Sequence, residues 1–108
     1  MNVKFSENAV IFKISEEELY RLSSGQDVEN IYALGDTICH RIESVGDQKG
    51  EMMLVINDMS MILHVPMRHI KTLLNIGKNR EGIHTNIGDT KLSLQVDIRK
   101  DSRKRMKG

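Results

Sequence analysis

Residue types that define several common classes of protein are scarce in this chain. It has one cysteine and no tryptophan, and aromatic side chains make up 4% of its 108 residues. The lone thiol of Cys39 excludes an intramolecular disulfide. No apolar run reaches the ~18 residues of a membrane span, and the first residues lack the apolar stretch of a signal peptide. We therefore expect a cytoplasmic protein with no membrane partner and a core of Ile, Leu, Val and Met.

Positive charge is concentrated at one end of the sequence, although the net charge is only +1. Residues 1–50 carry five basic and nine acidic side chains, whereas residues 99–108 carry six basic and one acidic. The final segment also lacks apolar periodicity, which is typical of disorder. We expect a single folded domain over residues 1–98 followed by a disordered basic tail over residues 99–108.

An internal repeat is the clearest feature that is present. Residues 3–44 align with residues 54–97: the apolar run 10–14 matches 61–65, and residues 34–37 match 87–90. A repeat of this length predicts two copies of one structural unit. The copies span about residues 3–45 and 52–98, with a polar and flexible linker over residues 46–50.

Within each copy, two short apolar runs precede a short helix, and two further runs follow it. Ser15 and Glu18 have the spacing of a helix capping box, and Gly25 and Gly77 are expected to end the two helices. Gly-Asp pairs between alternating runs indicate hairpins. The fold class is therefore α+β: a tandem ββαββ duplication that forms one curled sheet or partly closed barrel with two short helices.

Basic side chains indicate nucleic acid as one possible partner. Clustered cations neutralise phosphates and give sequence-independent, salt-sensitive binding, whereas the lack of aromatics near the tail argues against base stacking. The alternative is a tail that only improves solubility. The candidate residues are Arg68, Lys71, Lys78, Arg80, Arg99, Lys100, Arg103, Lys104, Arg105 and Lys107.

A soft metal is a weaker alternative. Met59, Met61, His64 and Met67 have spacing that suits Cu(I), but methionine also fills irregular core gaps in a protein with few aromatics. Strand alternation should place Cys39 and His40 on opposite faces, with Cys39 as a small buried apolar residue. We predict no metal and no cofactor.

Catalytic motifs are lacking. No nucleophile elbow or phosphate loop surrounds any Ser, Cys or Lys, and Asp36 and Asp89 are explained as turn residues. We therefore predict a non-enzymatic binding or scaffold module of unknown partner, either a monomer or a homodimer. Two alternatives remain open: a nucleic-acid-associated protein that uses the tail and the second helix, and a small-molecule or soft-metal binder at the junction of the copies.

The second copy resembles the swapped-hairpin barrel of AbrB-type bacterial transcription regulators. The matching positions are residues 63–66, Arg68, Lys71, Leu73, Ile76, Gly77 and the hairpin around Gly88 and Asp89. The resemblance implies that two such units interlock and that basic side chains on one face contact DNA. The first copy differs from this pattern because its helix begins with three glutamates, residues 16–18.

The whole chain also resembles a family of small bacterial proteins of unknown function. The likeness follows both copies in order, and it implies no activity. The residues that carry it are 11–15, Glu18, Leu22, Gly25, Val28, Glu29, Val65, Pro66, Ile76, Gly77, Gly82, Ile83 and 92–94.

Overall fold

Eight strands and two helices make up the described part of the chain. The computed structural model describes residues 1–76 and 82–97. The elements are β1 (Asn2–Ser6), β2 (Ala9–Ile14), α1 (Glu16–Ser23), β3 (Val28–Leu34), β4 (Asp36–Val45), β5 (Met53–Asn57), β6 (Ser60–Pro66), α2 (Met67–Ile76), β7 (Ile83–Ile87) and β8 (Thr90–Val96). The fold is therefore α+β with two short helices, as predicted.

The strands form two four-stranded sheets. The first sheet has the order β1-β2-β8-β7 and the second β3-β4-β6-β5. In each sheet the two central strands are parallel and the outer pairs are antiparallel hairpins. The prediction of one curled sheet or partly closed barrel is corrected here. The hairpins of each half pair with hairpins of the other half, which divides the strands between two sheets and leaves each sheet with open edges in the described chain.

One hydrophobic core joins both sheets and both helices. In the first sheet, Phe12 pairs in register with Leu94, and both side chains are fully buried. The second sheet contributes Ile42, which is also fully buried. Each helix buries two side chains on one face, as expected for a short amphipathic helix. The core residues are Phe12, Ile14, Leu19, Leu22, Val28, Ile42, Met52, Leu63, Val65, Ile70, Leu73, Leu92, Leu94 and Val96.

The ends of α1 follow from local sequence. Glu18 N–H donates to Ser15 Oγ at 3.1 Å, and Ser15 N–H donates to Glu18 Oε1 at 2.9 Å, so the predicted capping box is confirmed. At the other end Gly25 has φ +85°, and the N–H of Gln26 donates to the Arg21 carbonyl at 2.9 Å. Glycine adopts this left-handed backbone at low cost, which ends the helix where the sequence predicts.

The start of α2 is capped from a distance. The N–H of Arg68 donates to Asp47 Oδ1 at 2.7 Å. The Arg68 guanidinium also donates to the carbonyls of Asp47 at 2.8 Å and Gly50 at 2.6 Å. The predicted flexible linker is therefore a short 3-10 turn, Asp47–Lys49, that is bound to the helix. The predicted stop at Gly77 and the tail over 99–108 lie outside the described residues.

Candidate functional site

One face of the first sheet points away from the core. Phe12 points inward, so strand alternation directs its neighbours Ile11 and Lys13 outward. The strand register extends this surface, which we call the lysine face, across all four strands. Its residues are Asn2, Lys4 and Ser6 of β1, Ala9, Ile11 and Lys13 of β2, Lys91, Ser93 and Gln95 of β8, and His84 and Asn86 of β7.

No carboxylate occupies a strand position on the lysine face, whereas three lysines do, each from a different strand. Lys4 and Lys91 are exposed, and neither forms an ion pair with another described residue. Lys13 already takes part in an interaction. Ideal strand spacings separate the Cα atoms of Lys4 and Lys91 by about 12 Å. Their side chains can therefore contact two separate anionic groups.

Hydrogen-bond donors surround these lysines. The face carries the amides of Asn2, Asn86 and Gln95, whereas Ser93 at its centre is 2% exposed and its hydroxyl is not accessible to a ligand. Lysine and amide groups are among the side chains that bind the phosphates of nucleic acids. The described face carries no Phe, Tyr or Trp, and the imidazole of His84 is its one aromatic ring, so its chemistry suits a sugar–phosphate backbone better than base stacking.

Two cationic segments join the first sheet at one end. Ile83 pairs with Leu94, so the beginning of β7 and the end of β8 are adjacent. Residues 77–81 precede this end in sequence and residues 98–108 follow it; together they contain eight basic and two acidic side chains. Their basic members, which lie outside the described residues, are Lys78, Arg80, Arg99, Lys100, Arg103, Lys104, Arg105 and Lys107.

Arg68, which the sequence assigns to a nucleic-acid surface, is held at the start of α2 by contacts with the linker. Its guanidinium binds two carbonyls of the linker and lies 3.8 Å from a carboxylate oxygen of Glu51. Lys71 is exposed on α2, an element outside the first sheet. The structure therefore does not bring either residue to the lysine face.

The candidate metal ligands do not converge. Met61 packs against the core, whereas His64 lies on the opposite face of β6 with its Nε2 3.3 Å from Glu43 Oε1. Met59 is in the preceding turn, and Met67 begins α2. Within the described ranges, residues 1–76 and 82–97, no three His, Cys, Asp or Glu side chains come together as potential metal ligands.

The outer face of the second sheet carries a chain of ion pairs that sequence reasoning missed. Arg41 contacts Glu29 at 3.0 Å and Glu43 at 3.2 Å, and Glu43 contacts His64. The hydrogen bonds that Arg41 donates to Glu43 and Glu29 raise the pKa of its guanidinium above its ordinary value, so this group stays cationic. Cys39, predicted to be buried, is only half-buried, and its thiol lies 3.8 Å from Glu29 Oε2. We call this surface the ion-pair face.

A small depression lies between the two helices. Its volume is about 60 Å³, and Leu19, Tyr20, Leu73 and Val96 contribute to its walls. Ligand pockets are usually about 300–1,000 Å³, so this space is too small for an organic ligand of ordinary size.

Comparisons with known proteins do not extend these observations. No protein-family model, no curated protein and no solved structure matched the chain. Of the helices in the described ranges, neither has both the length and the apolar character needed to cross a membrane.

Proposed function

We propose that this protein is a non-enzymatic binding module that holds a nucleic acid by its sugar–phosphate backbone on the lysine face. The observation that carries the proposal is the charge pattern of that face: three lysines from three strands and no carboxylate at any strand position. On an ordinary protein surface, positively and negatively charged side chains are interspersed. Binding of this kind is independent of base sequence and weakens steeply as salt is added.

The two cationic segments, residues 77–81 and 98–108, would add positive charge to this binding. In sequence, both adjoin the end of the first sheet at which β7 begins and β8 ends. The sequence-based hypothesis assigned nucleic-acid binding to the basic tail and the second helix. The present proposal keeps the tail but assigns the folded part of the contact to the lysine face.

We further propose that the two halves are tandem copies of one unit. An exchange of halves converts the strand order β1-β2-β8-β7 into β5-β6-β4-β3, which is the order of the second sheet. The sequence alignment of residues 3–44 with 54–97 supports the same correspondence. On this account the lysine face and the ion-pair face are equivalent surfaces whose chemistry has diverged.

The test is a salt titration of binding to a fluorescent DNA duplex and to an RNA strand. Four proteins are compared: the wild type, Lys4→Gln/Lys91→Gln, Arg21→Gln/Lys71→Gln and a 1–98 truncation. Each lost phosphate contact lowers the slope of log K against log[salt] by about 0.9 for duplex DNA, so the lysine-face variant should lose about 1.8. At 0.1 M salt this corresponds to roughly 60-fold weaker binding if both contacts are complete.

The Arg21→Gln/Lys71→Gln protein is the matched control. It removes two exposed cations from the helices, so its net charge equals that of the lysine-face variant. We expect it to keep the wild-type slope, and the truncation to lose a further part of it. Equal slopes for the two double variants, or no binding of the wild type at low salt, would contradict the proposal.

A further inference from the structure

Apolar side chains form a diagonal across the ion-pair face. Met53 of β5 and Ile31 of β3 lie at opposite corners, and Ile62 of β6 lies between them in register. Met53 is 51% exposed and Ile31 is 61% exposed, although both belong to regular strands. With the half-buried Ile62 between them, they form an apolar line along the face, and exposed apolar surface of this kind indicates a contact surface.

Charged and uncharged polar residues are divided by this diagonal. Arg41 and its two glutamate partners lie on one side of it with His64, so the charges on this side are already paired with one another. The other side carries Val55, Asn57, Ser60 and Cys39, none of which is a carboxylate or a cation at neutral pH.

We propose that the ion-pair face binds a second copy of this chain, with the two-fold axis along the apolar diagonal. This axis places Met53 and Ile31 over their equivalents in the other copy, and it places Ile62 and its register neighbour Arg41, which lie equally close to the axis, next to theirs. It also places each ion-pair cluster over the uncharged side of the partner, so that no carboxylate opposes another carboxylate. The face is therefore complementary to itself, as an isologous interface requires. The strands of the two copies would cross near 90°, a known mode of sheet packing.

The size of the face limits the area that a dimer can bury. Four strands about 4.8 Å apart and three rows of side chains about 6.8 Å apart cover roughly 400 Å² in projection. A stable interface usually buries about 800 Å² per partner, so we expect weak association, visible between about 10 µM and 1 mM protein. The lysine face belongs to the other sheet and stays uncovered. A result that contradicts the dimer would therefore leave the proposed nucleic-acid binding untouched, and the reverse also holds.

Sedimentation equilibrium over that concentration range tests the interface. Ile31→Asp places a charge on the apolar diagonal, and Ile56→Asp is the matched control. Ile56 is 66% exposed in the same sheet but has the opposite orientation on its strand. We expect the average mass of the wild type to rise with concentration, Ile31→Asp to raise the dissociation constant at least tenfold, and Ile56→Asp to leave it unchanged. Circular dichroism checks that both variants fold.

A second readout needs no substitution. Met53 and Met59 are similarly exposed, at 51% and 47%, but Met59 lies in a turn outside the face. In a concentration series of methyl NMR spectra, the Met53 signal should shift and the Met59 signal should not. A wild type that stays monomeric to 1 mM overturns the proposal. So does association that Ile56→Asp weakens as much as Ile31→Asp, or a Met53 signal that does not move.

Discussion

Two glycines with the same backbone conformation are expected to differ sharply when each is changed to alanine. Gly82 has φ +62° and Gly88 has φ +61°. A Cβ atom at Gly88 would meet nothing within 4 Å. At Gly82 it would lie 2.1 Å from the Leu94 carbonyl oxygen and 2.9 Å from the Gln95 Cα. The pair therefore separates the cost of the left-handed backbone from the cost of the close approach between β7 and β8.

The expected magnitudes follow from these two costs. A non-glycine residue in the left-handed region costs about 1–2 kcal/mol, which both variants share. Gly82→Ala also forces atoms into packed backbone, which typically costs about 1–3 kcal/mol more. We therefore expect Gly88→Ala to lower the free energy of unfolding by about 1–2 kcal/mol and Gly82→Ala by about 2–5 kcal/mol.

Urea unfolding followed by far-UV circular dichroism measures the difference, since linear extrapolation gives the free energy of unfolding for each variant. The slopes of the two transitions should agree, which shows that the same surface is exposed on unfolding. Stabilities of the two variants within about 0.5 kcal/mol of each other would refute the close approach of Gly82 to β8.

Two further expectations concern the anchored linker. Asp47→Ala should lower the free energy of unfolding by about 1 kcal/mol because α2 loses its N-terminal acceptor. Asp47→Asn keeps an oxygen acceptor and should therefore retain most of the wild-type stability. Arg68→Met should lower stability by about 1 kcal/mol through the loss of the bonds to the Asp47 and Gly50 carbonyls, and it should leave the salt slope of nucleic-acid binding unchanged. Urea unfolding and the salt titration check these results, and a reduced slope for Arg68→Met would return this residue to the nucleic-acid surface.

Short-range signals in the sequence were the reliable ones. The α1 cap is complete within the four residues from Ser15 to Glu18, so its spacing alone predicts it. The cap of α2 comes from Asp47, a residue 21 positions before Arg68 along the chain. No local pattern contains that contact, because it depends on where β4 and β6 pair. For the same reason the linker could not be distinguished from a flexible one.

Strand pairing also limited the prediction of the site. Alternation assigns Lys4, Lys13 and Lys91 to the solvent side of their own strands, but it does not show that β2 pairs with β8. Only that long-range pairing brings the three lysines to one face. Alternation does argue against the metal hypothesis, since Met61 and His64 are an odd number of residues apart on one strand and must face opposite ways.

The most direct test of the lysine face is a comparison of lysine acetylation rates in the wild-type protein with and without a saturating oligonucleotide, measured by mass spectrometry. Bound phosphates should slow the modification of Lys4 and Lys91 several-fold, and Lys71 should react at the same rate in both samples. Protection of Lys71 without protection of Lys4 and Lys91 would contradict the account and assign the contact to α2.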